Sequence, residues 1–283
     1  MSNAARPFGN TITLLRLPGS WPEMIYWGVA AAMTVGFIVT AVLMALDTRT
    51  INGYDSVWLK PFKFEISLAI HAASLALVIR CLSPSFRQGN GMLIVAMAFL
   101  AACTVEMGWI ILQAARAQQS HFNLTTPFNS FMYSVMAFMA VIIVSAAGAI
   151  GLAVLADGQA LASPPLKAAI IVGLVGGTVL TLMTAFTIGG RLSPYVGGVP
   201  APDARMMLTG WSRMAGDLRV SHFLATHMIQ VLPLFALAIE RFAPGRVALV
   251  LVLAFAAGWT SLTWLEFRGA LKGEPSFFAQ SLR

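Results

Sequence analysis

The sequence predicts an all-α fold: a polytopic membrane helix bundle of about seven transmembrane helices, with one long loop between helices five and six. Three observations carry this. Hydrophobic residues make up 58% of the chain and charged residues 10%, where a soluble domain carries about a quarter charged. Seven apolar runs, near 24–46, 62–82, 91–115, 129–156, 167–189, 220–240 and 246–267, are each long enough to cross ~30 Å of hydrocarbon. The basic residues behind the +7 net charge stand singly between these runs, which is the pattern of loop anchors rather than of a nucleic-acid surface.

The expected organisation is an N-terminal tail or interfacial helix over 1–23, a bundle over 24–267 and a C-terminal tail over 268–283. Thr11 to Leu17 reads as a short interfacial helix stopped by Pro18-Gly19, with a disordered tail as the equal alternative. No compact apolar core followed by a small-residue cleavage site occurs in the first 22 residues, so no signal peptide is expected. Cys81 and Cys103 lie in or beside apolar runs, and neither CxxC nor CxxCH occurs. A disulfide framework, a structural zinc knuckle and covalent haem therefore have no support. The expected partners are membrane lipids and a lipid-like or small anionic ligand, with no nucleic acid; an oligomer is compatible with the composition.

An odd number of spans puts the two termini on opposite faces, here A for the N-terminal side and B for the other. Face-A connections are short. Face B receives Asp47 to Lys60, Ala117 to Asn129, the long Arg191 to Arg219 segment and the tail after Arg268. Loops beyond about a dozen residues are usually functional or disordered, and Tyr195, Trp211 and the prolines argue against disorder. Part of Asp203 to Ala215 reads as a short interfacial helix capped by Asp203. Arg49, Lys60, Lys63, Arg116, Arg191, Arg205, Arg213, Arg219, Arg268, Lys272 and Arg283 lie on face B, leaving seven of the 18 Lys and Arg for face A. The positive-inside rule then favours face B in the cytoplasm.

In the second helix, Lys60, Lys63, Ser67, His71 and Ser74 recur every three or four residues on one stripe. Glu65 points away from it and is expected to pair with a cation of a neighbouring helix. The third helix carries Cys103, Glu106, Ile110 and Gln113 on one stripe, with Arg116 at its end. Glu106 reads as the one carboxylate well inside an apolar span, a placement that is expensive unless the group is paired, solvated or protonated. His121 and Asn123 follow at the mouth, where Ser120, Asn123 or Thr125 would cap the fourth helix. The methionines of that helix, Met132, Met136 and Met139, read as packing. Gly173, Gly177, Thr181 and Thr184 of the fifth form a small-residue stripe for close helix packing. In the sixth, Arg219, His222, Thr226, His227 and Gln230 share an arc opposite Leu224, Met228 and Leu232. In the seventh, Trp259 and Trp264 suit an interfacial belt, and Glu266 with Arg268 would gate the mouth. Nearly all these ionisable groups fall in the face-B half, leaving face A nearly empty, which predicts one polar cavity opening to face B.

The segments Lys60-Pro-Phe-Lys-Phe, Gln113-Ala-Ala-Arg with Ser120-His-Phe-Asn-Leu-Thr-Thr-Pro, and Gly216-Asp-Leu-Arg-Val-Ser-His-Phe-Leu-Ala-Thr-His resemble a family of uncharacterised bacterial multi-pass membrane proteins. That resemblance implies the architecture and no reaction. Ser67-x3-His71 and Glu106 are also faintly similar to the seven-helix alkaline ceramidase and progestin-receptor-like hydrolases. The histidine pair here is spaced x4 and lies in the sixth helix, unlike the last-helix His-x3-His of those enzymes.

Three functions compete. In the first, the cavity binds haem b or a transition-metal ion for redox chemistry. His71 with His222 or His227 would be the haem ligands, and His222, His227 and either His71 or His121 would hold a single metal. At ~100° per residue His222 and His227 stand about 140° apart, which opposes a shared iron. In the second, the chain is a membrane hydrolase or transferase acting on a lipid or small amphiphile. Glu106 would be the general base, with His71 or His227 as its partner. Arg116, Arg219 and Arg268 would take an anionic head group, with Asn123 and Gln230 completing the substrate site. In the third, the cavity serves a transporter, sensor or structural subunit.

Overall fold

The computed structural model describes residues 17–51, 53–206 and 209–280; most of the anticipated Thr11 to Leu17 helix lies outside them. Seven helices are long and apolar enough to cross a membrane: α1 Trp21–Leu46, α2 Leu59–Ile79, α3 Asn90–Ala115, α4 Pro127–Ala156, α5 Pro164–Arg191, α6 Leu218–Ile239 and α7 Gly245–Leu271. The chain is thus an all-α, membrane-spanning helical protein. Local chemistry sets the helix starts. Ser20, Thr126, Ser163 and Asp217 each accept a backbone N–H of their helix's first turn, and proline stands in the first turn of α1, α4 and α5, where its missing donor costs nothing. The cap of α4 is Thr126, one residue beyond the three expected candidates.

Helix α1 lies along α2, α3 joins α1 to α4, and α6 sits between α5 and α7. The small-residue stripe of α5 does what its composition predicts. A Cβ at Gly173 would stand 2.9 Å from the Met228 carbonyl of α6, so the two backbones meet only because the side chain is absent. A π turn, Val172–Gly176, interrupts α5 here and re-aims the residues beyond it. Gly36 of α1 makes similar room for the Glu65 carboxyl, which accepts from Thr40 Oγ1 at 2.6 Å. The expected cation beside Glu65 is therefore replaced by a hydroxyl.

Face A is not empty of ions, contrary to expectation. Buried Glu23 pairs with Arg80 and also accepts from Gly19 N at 2.9 Å and Trp27 Nε1 at 3.3 Å. Asp157, at the end of α4, accepts from Ser83 N at 2.6 Å and Gln159 N at 3.0 Å. Lys167 donates to the Asp157 carbonyl at 2.9 Å, and Ser163 bonds Glu240. Hydropathy windows hid these groups because each sits at a helix end.

On face B the α1–α2 connection holds a two-residue hairpin, β1 Thr50–Ile51 with β2 Asp55–Ser56. The long α5–α6 loop is tied by β3 Tyr195–Val196 pairing with β4 Gly216–Asp217. Between them, the expected Asp203–Ala215 helix does not form: Pro202–Ala204 is a 3-10 turn and Arg205 bridges Ser212 instead. Gly210, at φ +71°, reverses the chain where a helix would have continued. Helix α7 runs past the expected end to Leu271, and the tail folds back so that Phe277 N donates to Glu266 Oε1 at 3.1 Å. Glu266 therefore anchors the tail, while Arg268 is exposed. Trp259 is no belt residue either; its indole donates to the Leu224 carbonyl at 2.8 Å, deep between α6 and α7.

Candidate functional site

The loop between α3 and α4 does not stay at the membrane surface. Side chains on a helix lean toward its N-terminus, here face A, and Trp109 Nε1 on α3 donates to the Ser120 carbonyl at 3.0 Å. Gln113 Nε2 donates to the Gln119 carbonyl at 3.3 Å, so the loop backbone is folded back along α3. Asn123 holds the far side, donating to the Gln119 carbonyl at 3.1 Å and accepting from Thr125 N at 3.2 Å. The reversal puts two non-glycine residues, Ala117 and Phe122, in the left-handed region at φ +53° and +58°. For a bulky residue such as Phe122 that conformation is strained, and it persists only where surrounding contacts impose it.

What the fold-back delivers is His121. Its Nε2 lies 3.2 Å from Glu106 Oε1, and its Nδ1 lies 3.2 Å from Ser120 Oγ. Phe64, Phe122 and Tyr133 surround the ring with centroids 6.0, 6.5 and 6.4 Å away. Lys60 stands near enough for its charge to act on both Glu106 and His121. Burial, then the Lys60 charge, pushes the His121 imidazole below the ordinary histidine range, with Glu106 pulling the other way. The Glu106 contact has ion-pair distance without hydrogen-bond alignment, so both carboxyl oxygens remain without a donor, as does Gln113 Oε1. Glu106 is 2% and Gln113 0% exposed; buried acceptors in this state ask for a donor from a ligand or water.

The remaining histidines part company. His222 turns to α5, its Nδ1 2.9 Å from Thr184 Oγ1, and Thr226 follows it toward Thr181 at 3.4 Å. His227 turns the other way and packs on Phe223 at 4.1 Å. It faces His71 closely enough for the two to interact electrostatically. His71 stacks on Phe99 at 5.9 Å, reaches the Ile143 backbone of α4 and leaves Nε2 without a partner. The single polar arc expected on α6 is thus divided between two neighbours. Among the described residues no three His, Cys, Asp or Glu side chains gather as a metal cage, because His121 is held at Glu106 and His222 at Thr184.

Above the histidines lies a cationic lid. Arg219 donates to both Asp217 oxygens at 2.6 and 2.9 Å, to Tyr195 Oη at 2.9 Å and to the Gly210 carbonyl at 2.8 Å. Arg205 stacks over Tyr54 at 4.7 Å and Tyr195 at 5.9 Å, and Lys63 Nζ donates to the Thr209 carbonyl at 3.2 Å. Of the residues expected at a substrate site, Arg219, Gln230 and Asn123 belong to these groups, while Arg116 and Arg268 are exposed and apart. Glu106 meets His121 rather than His71 or His227. Sequence reasoning missed Ser120 and Tyr133 as its surroundings; the available signal was the polar run Gln118-Gln-Ser-His beside a buried glutamate.

Comparison with family models, curated proteins and solved structures yields no match to this chain.

Proposed function

We propose that the protein is a membrane-embedded acid–base enzyme, of hydrolase or transferase type, acting on an amphiphile from a bacterial cytoplasmic membrane. The observation that carries this is the 3.2 Å approach of His121 to Glu106, built by a strained loop and left with open acceptors. Neutral His121 and the Glu106 carboxylate take a proton from water or an acceptor hydroxyl as that oxygen bonds to an ester carbonyl carbon or a phosphorus. The bond to the leaving oxygen breaks, and the same pair returns the proton to it. Lys60 steadies the negative charge that develops. The test is turnover by the full chain in nanodiscs, offered lipids with ester, amide and phosphodiester bonds and read by mass spectrometry. The expected result is consumption of one class, lost in Glu106→Gln and His121→Asn. No consumption of any class, or unchanged turnover in Glu106→Gln, would overturn it.

The unpartnered Nε2 of His71 opposite His227 favours one alternative: these imidazoles as ligands of haem b or a transition-metal ion. A Soret band with a pyridine haemochrome, or metal analysis of protein purified without chelators, supports it; a blank in both removes it.

A further inference from the structure

The faces that α2 and α6 turn toward each other are not packed shut. Lys63, Ser67, Ile70 and Ser74 line one side of α2, and Ser67 and Ile70 stay exposed. Arg219, Phe223, His227, Gln230 and Leu234 line the matching arc of α6 at intervals of three or four, and all of them keep some accessible surface. Both helices run inward from face B. At 1.5 Å per residue Lys63 lies ~6 Å below the start of α2, Ser67 ~12 Å and His71 ~18 Å; on α6, His227 lies ~14 Å and Gln230 ~18 Å below its start. The two rows therefore match in depth. The two helices approach each other, with the Lys63 and Arg219 charges within electrostatic reach at the mouth and His71 and His227 within reach of each other inside.

Accessible hydroxyl, imidazole and amide groups at that depth do not belong against acyl chains, which offer an unsatisfied polar atom no partner. Gln230 Oε1 and His71 Nε2 have no partner. At the mouth, Lys63, Arg205 and Arg219 gather with Asp55 and Asp217 as the nearby carboxylates, an excess of positive charge. Lys63 itself has no carboxylate within ion-pair distance among the described residues. Exposed Ile70, Phe223 and Leu234 form apolar rims beside the polar rows.

We infer that the α2–α6 crevice is a binding site for a bilayer lipid with an anionic phosphate head group, entering sideways from the membrane. Lys63 and Arg219 take the phosphate, Ser67 and His227 donate to the ester or amide oxygens beneath it, and Gln230 and His71 close the deep end. The acyl chains leave along Ile70, Phe223 and Leu234. Binding of this kind does not depend on the acid–base chemistry proposed above.

The test is native mass spectrometry of the full chain released from nanodiscs holding equal phosphatidylglycerol and phosphatidylcholine. The expected result is retention of phosphatidylglycerol, with the preference cut about tenfold in Lys63→Gln, the size of one charge-assisted hydrogen bond. In Ser67→Phe, which fills the crevice from an exposed position, bound lipid of both kinds should be lost. Glu106→Gln should retain lipid as the parent does, so failure of the catalytic proposal leaves this one standing. Equal retention of the two lipids would overturn it. So would inorganic phosphate that raises the thermal midpoint as much as phosphatidylglycerol, which would mark a site for a free anion. Spontaneous cross-linking of Ser67→Cys into dimers would also overturn it, showing a second copy in the crevice; the native Cys81 and Cys103 are buried and do not interfere.

Discussion

The two ends of the bundle differ in how much buried polar capacity they leave open, although Glu65, Asp217 and Glu266 on the face-B side have partners. At face A the buried carboxyl groups are satisfied, Glu23 by Arg80, Trp27 and Gly19 and Asp157 by Ser83 and Gln159, and half-buried Glu240 takes Ser163. Unsatisfied atoms there are the Tyr26 hydroxyl and Arg87 Nε. At face B, Glu106, Gln113, His71 and Gln230 all keep unpartnered atoms, although the fold reverses a loop and strains Phe122 to bring His121 in. Satisfied ions staple helix ends together. The polar groups gathered and left open at face B are the ones on which the two proposals above rest.

That contrast can be broken by substitution. The largest effect expected is on turnover: Glu106→Gln should lower it by about 10²–10⁴-fold while leaving the thermal midpoint equal or higher, because a buried acceptor left without a donor is removed. Next, Arg80→Leu should destabilise by ~3–5 kcal/mol, since it strands Glu23 in a buried site; thermal unfolding in detergent reads this, and turnover per folded molecule should hold. Gly173→Ala, which sets a methyl against the Met228 carbonyl, should cost ~1–3 kcal/mol by overpacking the α5–α6 contact.

A smaller effect is expected with pH. His121 titrates below the ordinary histidine range in the folded protein, so the unfolded chain takes up the proton first. Stability is then lost as pH falls from the ordinary histidine range through the folded value, and His121→Asn should flatten that part of the profile. Smallest of all, Arg116→Gln should change stability by no more than ~0.5 kcal/mol, as an exposed residue away from any special contact. A large loss in that variant would show that the pocket extends to the end of α3.

Span number and order were legible because hydropathy and helix length are local properties. The stripes on α3 and α5 were legible for the same reason: Cys103, Glu106, Ile110 and Gln113 are all buried together, and Gly173 packs as its size demands. Partner choice was not legible. Glu106 and His121 are neighbours only because a loop doubles back, and nothing in a helical period announces that. The division of the α6 arc, with His222 to α5 and His227 to α2, depends on where those helices stand around it. The ions of face A escaped notice because hydropathy counts Glu23 and Asp157 as edges, while their carboxyl groups lie inside.

The π turn in α5 has a consequence for evolution as well as for packing. Such a turn is a one-residue insertion in an otherwise regular helix, so everything from Gly177 to Arg191 is rotated by about a third of a circle relative to Pro164–Ile171. Thr181 and Thr184 lie beyond the turn and meet Thr226 and His222 of α6. Deleting a single residue between Val172 and Gly176 would leave the composition of the span almost untouched, yet it would swing both hydroxyls away and orphan His222. The length of this short segment is therefore held more tightly than the identity of the residues within it.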